Sequence, residues 1–315
     1  MTSAVRGRNP ASADHRGPDG GPEQDFGEGR GDAVGGPARH EPDGGPGRAG
    51  RNLPAATAVG VALGLSLVAA LLYLKVAFLV IVAVSAVLAL RELNTAFAQR
   101  EIHFPFLPVA VGGAGMLAAA YFSGEAALAA VLALTAVGTL VWRLTDGADG
   151  FLRDVSAGLF AAVYVPFLAG FSMLLTSADH GTQRTLIFLV LVVCNDTGGY
   201  ATGVLIGKHP LAPKISPKKS WEGLTGSVLT AAAAGAIMMV TMLHGLWWQG
   251  AVLGVCVVVS ATLGDLCESM IKRDLGIKDM GNLLPGHGGI MDRLDSLLPT
   301  APVVWLLLSL FVPLK

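Results

Sequence analysis

Charge is what this chain has least of. Of its 315 residues only 14% are Asp, Glu, Lys or Arg, while 52% are hydrophobic and the mean hydropathy is +0.58. Soluble domains carry about 25% charged residues, so an ordinary soluble fold is excluded and a polytopic membrane protein is indicated. Cysteine is almost as scarce. Cys194, Cys256 and Cys267 lie in or at the edge of apolar runs and show no CxxC spacing. That argues against a disulfide framework and a zinc site, and for free thiols acting as small apolar residues. The first fifty-odd residues lack large apolar side chains and consist mainly of Gly, Pro, Arg, Asp and Glu. Such a segment cannot bury enough surface to offset its ordering entropy, and it has no apolar stretch of a secretory signal. Residues 1–52 therefore read as a disordered tail and 53–315 as the membrane-embedded domain.

What is present beyond Arg51 is a series of closely spaced apolar runs. They place about nine membrane helices near 53–73, 76–96, 105–122, 125–142, 155–176, 185–206, 224–246, 249–271 and 297–314. Each is close to the ~20 residues that span a hydrocarbon core. The expected fold is an all-α polytopic bundle with a polar cavity facing the cytoplasm. With the N-terminus inside, the inner loops hold Arg91, Arg100, Arg143, Arg153, Lys208, Lys214, Lys218, Lys219, Lys272, Arg273, Lys278 and Arg293. The outer side receives only Lys75, Arg184 and Lys315. This is the asymmetry of the positive-inside rule, with Trp247, Trp248, Trp142 and Trp221 at the boundaries. Topology alone accounts for Arg91, Arg100, Arg143 and Arg153. It does not account for acids and glycines gathered around the later bases.

That gathering runs from Asp265 to Asp295, DLCESMIKRDLGIKDMGNLLPGHGGIMDRLD. Asp265, Ser269 and Lys272 fall on one helical stripe, with Glu268 and Arg273 on its flanks. An ionisable residue two turns inside a span is costly and marks a functional site unless it merely pairs. Next come Lys278 and Asp279, then a turn in which Gly286, Gly288 and Gly289 expose backbone amides. The turn leads into the last helix, whose positive end favours an anion and whose first turns carry Asp292, Arg293 and Asp295. Asp265, Asp292 and Asp295 form a candidate carboxylate set for Mg²⁺, an ion that also bridges substrate phosphates. His287 either contacts phosphate or holds the turn.

A second constellation lies upstream. Asn195 and Asp196 fall inside the sixth span and are followed by Gly198 and Gly199, which predicts an unwound or kinked helix lining a polar cavity. The next loop offers Ser216, Lys218, Lys219 and Ser220 at the depth of acidic lipid headgroups.

The string S-x-x-K-R-x-x-x-x-K-D-x-x-x-x-x-P-G-H-G-G-x-x-D-R-x-D, met from Ser269 to Asp295, resembles the signature of the phosphatidate cytidylyltransferases. D-T-G-G-Y from Asp196 and S-P-K-K-S-W-E-G from Ser216 resemble the same family. The likeness is most specific from about residue 190 onward. It implies an integral membrane enzyme that joins CTP and phosphatidic acid to give CDP-diacylglycerol and pyrophosphate, with Mg²⁺, a second cation being open. It implies metal ligation by Asp265, Asp292 and Asp295, to which the upstream motif adds Asp196. Asp265, Lys272, Arg273, Asp292 and Arg293 are the expected catalytic set. Ser216, Lys218, Lys219, Ser220, Ser269, Lys278, Asp279, His287, Gly288 and Gly289 are the expected substrate contacts. A plasma-membrane location follows, no nucleic acid is expected as a partner, and a homodimer is open. Two alternatives stay open on the residues alone. One is a CTP-dependent polyprenol or ether-lipid enzyme. The other is an ion-coupled transporter with Asp196 and Asp265 as ion sites.

Overall fold

A computed structural model describes residues 53–281 and 288–313. The tail 1–52, Gly286 and His287 of the glycine turn, and Lys315 lie outside the described residues.

The described chain is a helical bundle. The apolar helix α1 (Leu53–Tyr73) is followed by α2 (Lys75–Ala98), α3 (Phe106–Ser123) and α4 (Glu125–Leu144). Next come α5 (Phe151–Ala162) and α6 (Leu168–Ser177), joined without a break, and then α7 (Gly181–Ile206). A hairpin of β1 (Pro210–Ala212) and β2 (Ser216–Ser220) leads to α8 (Trp221–Leu243) and α9 (Trp247–Leu275). A four-residue helix α10 (Met291–Leu294) and α11 (Leu297–Phe311) complete it. Among the described residues, eight segments from α2 onward are long and apolar enough to cross a membrane, α5–α6 and α10–α11 each counting as one. The expected all-α membrane architecture is therefore the observed one, and the short hairpin is the addition.

Two apolar clusters hold the bundle. One gathers Leu90, Leu93, Met116, Leu117, Val165 and Met291, from α2, α3, the α5–α6 junction and α10. The other joins Leu191, Met239, Val257 and Val304, from α7, α8, α9 and α11. Outward-facing residues are also apolar, among them Leu134, Val141, Leu229 and Ile237. A soluble surface would not carry them; a lipid-facing one does.

The break expected in the sixth span is found elsewhere. Helix α7 continues through Asn195, Asp196, Gly198 and Gly199. Its glycines serve packing instead: a methyl group on Gly198 would collide with the Thr230 hydroxyl and approach the Gly226 carbonyl to 3.0 Å. The small residues thus bring α8 against α7. The irregular turn lies at Val163–Phe167, a π-helical turn containing Pro166. Proline has no N–H to give to the preceding turn, and the wider turn absorbs that loss.

Local chemistry fixes the helix ends near the site. Ser220 caps α8 by accepting from Gly223 N at 3.1 Å. Glu222 then ties the hairpin back, accepting from Lys208 N and His209 N and bonding the His209 ring. At the end of α9, Gly276 takes φ +73°, Gly276 N donates to Arg273 O and Ile277 N donates to Lys272 O. This double-bonded reversal stops the helix just past Lys272 and Arg273. Arg100 satisfies the last two carbonyls, donating to Asp274 O at 2.8 Å and Leu275 O at 3.3 Å.

Two arginines attributed to topology are structural. Arg100 is one. Arg143, only 7% exposed, donates to Asp154 Oδ2 at 3.1 and 3.2 Å and to the Asp149 carbonyl at 2.6 Å, fastening the α4–α5 connection. At the opposite end of the spans, buried Arg184 of α7 donates to Asp179 O at 2.9 Å, Leu308 O at 3.2 Å and Val312 O at 2.6 Å.

Candidate active site

A cavity of about 350 Å³ opens between α7, the hairpin, α8 and α9. Asp196, Tyr200, Ser216, Lys219, Ser220 and Asp265 are among its lining residues. The hairpin explains why two well-separated motifs meet here. Pairing of Pro210 with Ser220 and of Ala212 with Ser216 aligns β2 beside the cavity. Lys219 then reaches across to form an ion pair with Asp265 of α9. Asn195 donates to Asp196 Oδ1 at 2.9 Å, and Ser227 donates to the Asn195 carbonyl at 2.6 Å. Asp196 stands within electrostatic range of Asp265, Lys219 and Arg293. Lys218 also lines the cavity and is exposed.

The second half of the site begins two turns further along α9. Lys272 is bonded to Glu268, four residues before it, and to Asp292 Oδ1 at 2.9 Å. Glu268 is fully buried, and its Oε1 has no hydrogen-bond partner among the described residues. Asp292 also accepts from two backbone amides, Met280 N at 3.1 Å and Gly289 N at 2.9 Å. It therefore knits together the chain on both sides of the glycine turn. Gly288, at φ +79°, occupies a conformation that L side chains avoid, and a methyl there would lie 3.2 Å from Asp292 Oδ2.

Asp295 links the halves. Its Oδ1 accepts from Ser296 N at 2.7 Å, and the charges of Asp265 and Glu268 lie close to it. Gly264 makes this approach feasible. A methyl on it would collide with the Asp295 carbonyl and come within 2.5 Å of Pro299 Cγ.

The expected residues thus divide. Asp196, Ser216, Lys218, Lys219, Ser220 and Asp265 share the cavity; Lys272, Asp292, Gly288 and Gly289 share the second cluster. The Gly289 amide, expected to meet phosphate, is engaged by Asp292. Ser269 is half-buried on α9, while Arg273, Lys278, Asp279 and Arg293 are exposed. Asp265 and Asp292 are each held by a different lysine, Lys219 and Lys272. Asp292 and Asp295, expected on one helix, are not: Asp292 lies on α10 and Asp295 in the turn between α10 and α11. Among the described residues, no three His, Cys, Asp or Glu side chains converge as a ready-made cation cage.

Two buried acids were not expected as site residues. Glu268, on the flank of the stripe by sequence, is one of the two carboxylates that Lys272 bridges. Glu92 of α2 is only 7% exposed and accepts from Met291 N at 2.9 Å. Burial was the only signal that marks Glu92, and sequence does not display it.

Comparison with known proteins places these residues in company. The model of the Cytidylyltransferase family matches residues 54–311. The chain is 41% identical over 287 residues to the phosphatidate cytidylyltransferase of Mycobacterium bovis, covering 87% of this chain and 94% of that protein. It is 42% identical over 280 residues to the phosphatidate cytidylyltransferase of Mycobacterium leprae, covering 84% and 89%. It is 40% identical over 155 residues to that of Haemophilus influenzae, covering 46% and 54%.

Proposed function

The chain belongs to the cytidylyltransferase family, and from that premise we propose that it transfers CMP from CTP to phosphatidic acid, giving CDP-diacylglycerol and pyrophosphate. The observation that carries this reading is the polar site itself. Asp265, held by Lys219 of the hairpin, and Lys272, bridging Glu268 and Asp292, lie on segments long and apolar enough to span a bilayer. Such a site suits one water-soluble and one lipid anion.

In this reaction a phosphate oxygen of phosphatidic acid attacks the α-phosphorus of CTP, and the bond to the bridging oxygen of pyrophosphate breaks. The nucleophile is already anionic, so no strong base is required. The protein must hold two polyanions in line and stabilise charge as it moves to the leaving group. Lys272 is fixed by two carboxylates, and a fixed cation needs no reorganisation when the leaving group charges. Arg273, Lys278 and Arg293 add positive charge at the same end. Ser216, Lys218 and Ser220, with Lys219, offer donors for the phosphatidate headgroup in the cavity.

The donor set suits Mg²⁺. Five carboxylates (Asp196, Asp265, Glu268, Asp292 and Asp295) gather with Lys219, Lys272 and Arg293, and the buried Glu268 Oε1 has no hydrogen-bond partner among the described residues. Mg²⁺ favours one or two carboxylates plus substrate phosphates over an all-protein cage. Asp265, Asp292 and Asp295, with Asp196, would hold it, and it would screen phosphate repulsion.

Purified protein in mixed micelles, given CTP labelled at the α-phosphate, should place label in lipid only with both phosphatidic acid and Mg²⁺. EDTA should abolish transfer. Transfer of the γ-phosphate to a lipid alcohol, or Mg²⁺-independent ion flux with no CTP consumption, would refute the assignment.

We further propose that the hairpin and the 272–293 end face the cytoplasm of a plasma-membrane protein, following the charge asymmetry. Lys218, on β2 just before α8, and His244, capping the other end of α8, are both exposed. In a background with Cys194, Cys256 and Cys267 replaced, cysteines introduced at these positions should react from opposite sides of sealed vesicles. An impermeant reagent labelling both from one side would overturn the topology.

A further inference from the structure

Glu92 is used by nothing in the reaction as described, yet it sits in costly surroundings. It lies on α2 between the fully buried Leu90 and Leu93, and is itself 93% buried. Its Oε2 accepts from Met291 N, and its Oε1 has no hydrogen-bond partner among the described residues. A buried carboxylate on a membrane helix with one amide donor is expensive, so it persists for a reason beyond packing.

The geometry around it is specific. A methyl on Gly281 would collide with Glu92 Oε1, and one on Gly289 would come within 2.5 Å of Oε2 and 2.8 Å of Gly281 N. The carboxylate therefore fits against two glycine backbones that only the missing side chains allow so close. Those glycines adjoin the amides that Asp292 holds, Met280 N and Gly289 N. In the turn just past the end of the same helix, Arg100 grips Asp274 O and Leu275 O at the end of α9. Helix α2 thus contacts the chain at Gly281, Gly289 and Met291, and the turn that follows it contacts the chain where it leaves α9.

We propose that Glu92 is a positioning residue for the nucleotide half of the site. Set in the core of α2, it brackets the backbone at Gly281, Gly289 and Met291 and so fixes where Asp292 and Lys272 stand. It does not touch the nucleotide: an anion repels phosphate, so it acts through the backbone it holds. The inference rests on the CTP reading above.

The test compares Glu92→Ala, Glu92→Gln and Gly289→Ala with the parent in titrations of CTP and of phosphatidic acid, together with melting in detergent. Glu92→Ala should raise KM for CTP at least ~10-fold and lower kcat, while KM for phosphatidic acid stays within about 2-fold. Glu92→Gln keeps the shape and one acceptor oxygen for Met291 N, and should recover to within about 3-fold of the parent. Gly289→Ala pushes the same contact apart from the other side and should reproduce the selective CTP defect, even where Glu92→Ala does not accumulate. Unchanged CTP kinetics in Glu92→Ala, or equal losses for both substrates that track melting and are not rescued by Gln, would overturn the proposal. A parent protein that does not use CTP defeats the functional reading instead, and the two failures are distinguishable.

Discussion

Asp292→Asn is expected to turn over at least ~10²-fold more slowly than the parent at saturating CTP and Mg²⁺, the scale on which loss of electrostatic stabilisation of a transition state is felt. The reason is what the carboxylate does with its two oxygens. It accepts from Lys272 at 2.9 Å, from Met280 N at 3.1 Å and from Gly289 N at 2.9 Å. Asparagine has one acceptor oxygen, and its NH₂ must face a donor. Either the ammonium or the pair of amides loses its partner, so the charge and the backbone it fixes are both disturbed. Substrate titrations and melting on purified protein check this. A variant that melts with the parent and turns over within a few-fold of it at saturating Mg²⁺ would remove Asp292 from the catalytic set.

Lys272→Met is expected to damage the fold as well as the rate. Lys272 stands between Glu268, which is wholly buried, and Asp292. Without it a carboxylate remains in the interior with no cation, and breaking a buried pair in this way costs about 3–5 kcal/mol. The companion Lys272→Met/Glu268→Gln removes the stranded charge. It should regain most of the lost stability, a non-additive result that a contacting pair must give. Turnover should stay low in both, because the cation proposed to meet the leaving pyrophosphate is absent from both. Equal melting of parent and Lys272→Met would show that Glu268 is neutralised by another route. Recovery of turnover in the double variant would show that Lys272 serves only the fold.

The line from Asp265 to Asp295 was legible because its residues are close in sequence and their chemistry is unusual for a membrane span. The helix count was legible for a similar reason, since apolar length is a local property. What escaped is what depends on contact between distant segments. Glu92 precedes the signature by well over a hundred residues and reads, beside Arg91, as an ordinary polar helix end. Glu268 lies one turn from Asp265, and the pattern cannot say that one faces Lys219 while the other is sealed inside. Lys219 read as a surface lysine until the hairpin carried it to Asp265. The glycines of α7 suggested a break because glycine permits one; the approach of α8 gives them another use. Pro166 marked the actual irregularity, but a proline alone does not tell a kink from a π-turn.

Arg184 has a consequence for how the protein is made. Two of its three carbonyl acceptors, Leu308 O of α11 and Val312 O just past its end, are synthesised more than a hundred residues later. Helix α7 must therefore enter the bilayer with a guanidinium whose partners do not yet exist, held only by the Asp179 carbonyl. When α11 arrives it closes that debt at one end. Through the short α10 that precedes it, it also delivers Asp292 and Asp295 to α9 at the other. A nascent chain arrested before α11 has neither its arginine satisfied nor its acids assembled. Assembly of the acid–lysine site is thus tied to the same helix that satisfies Arg184.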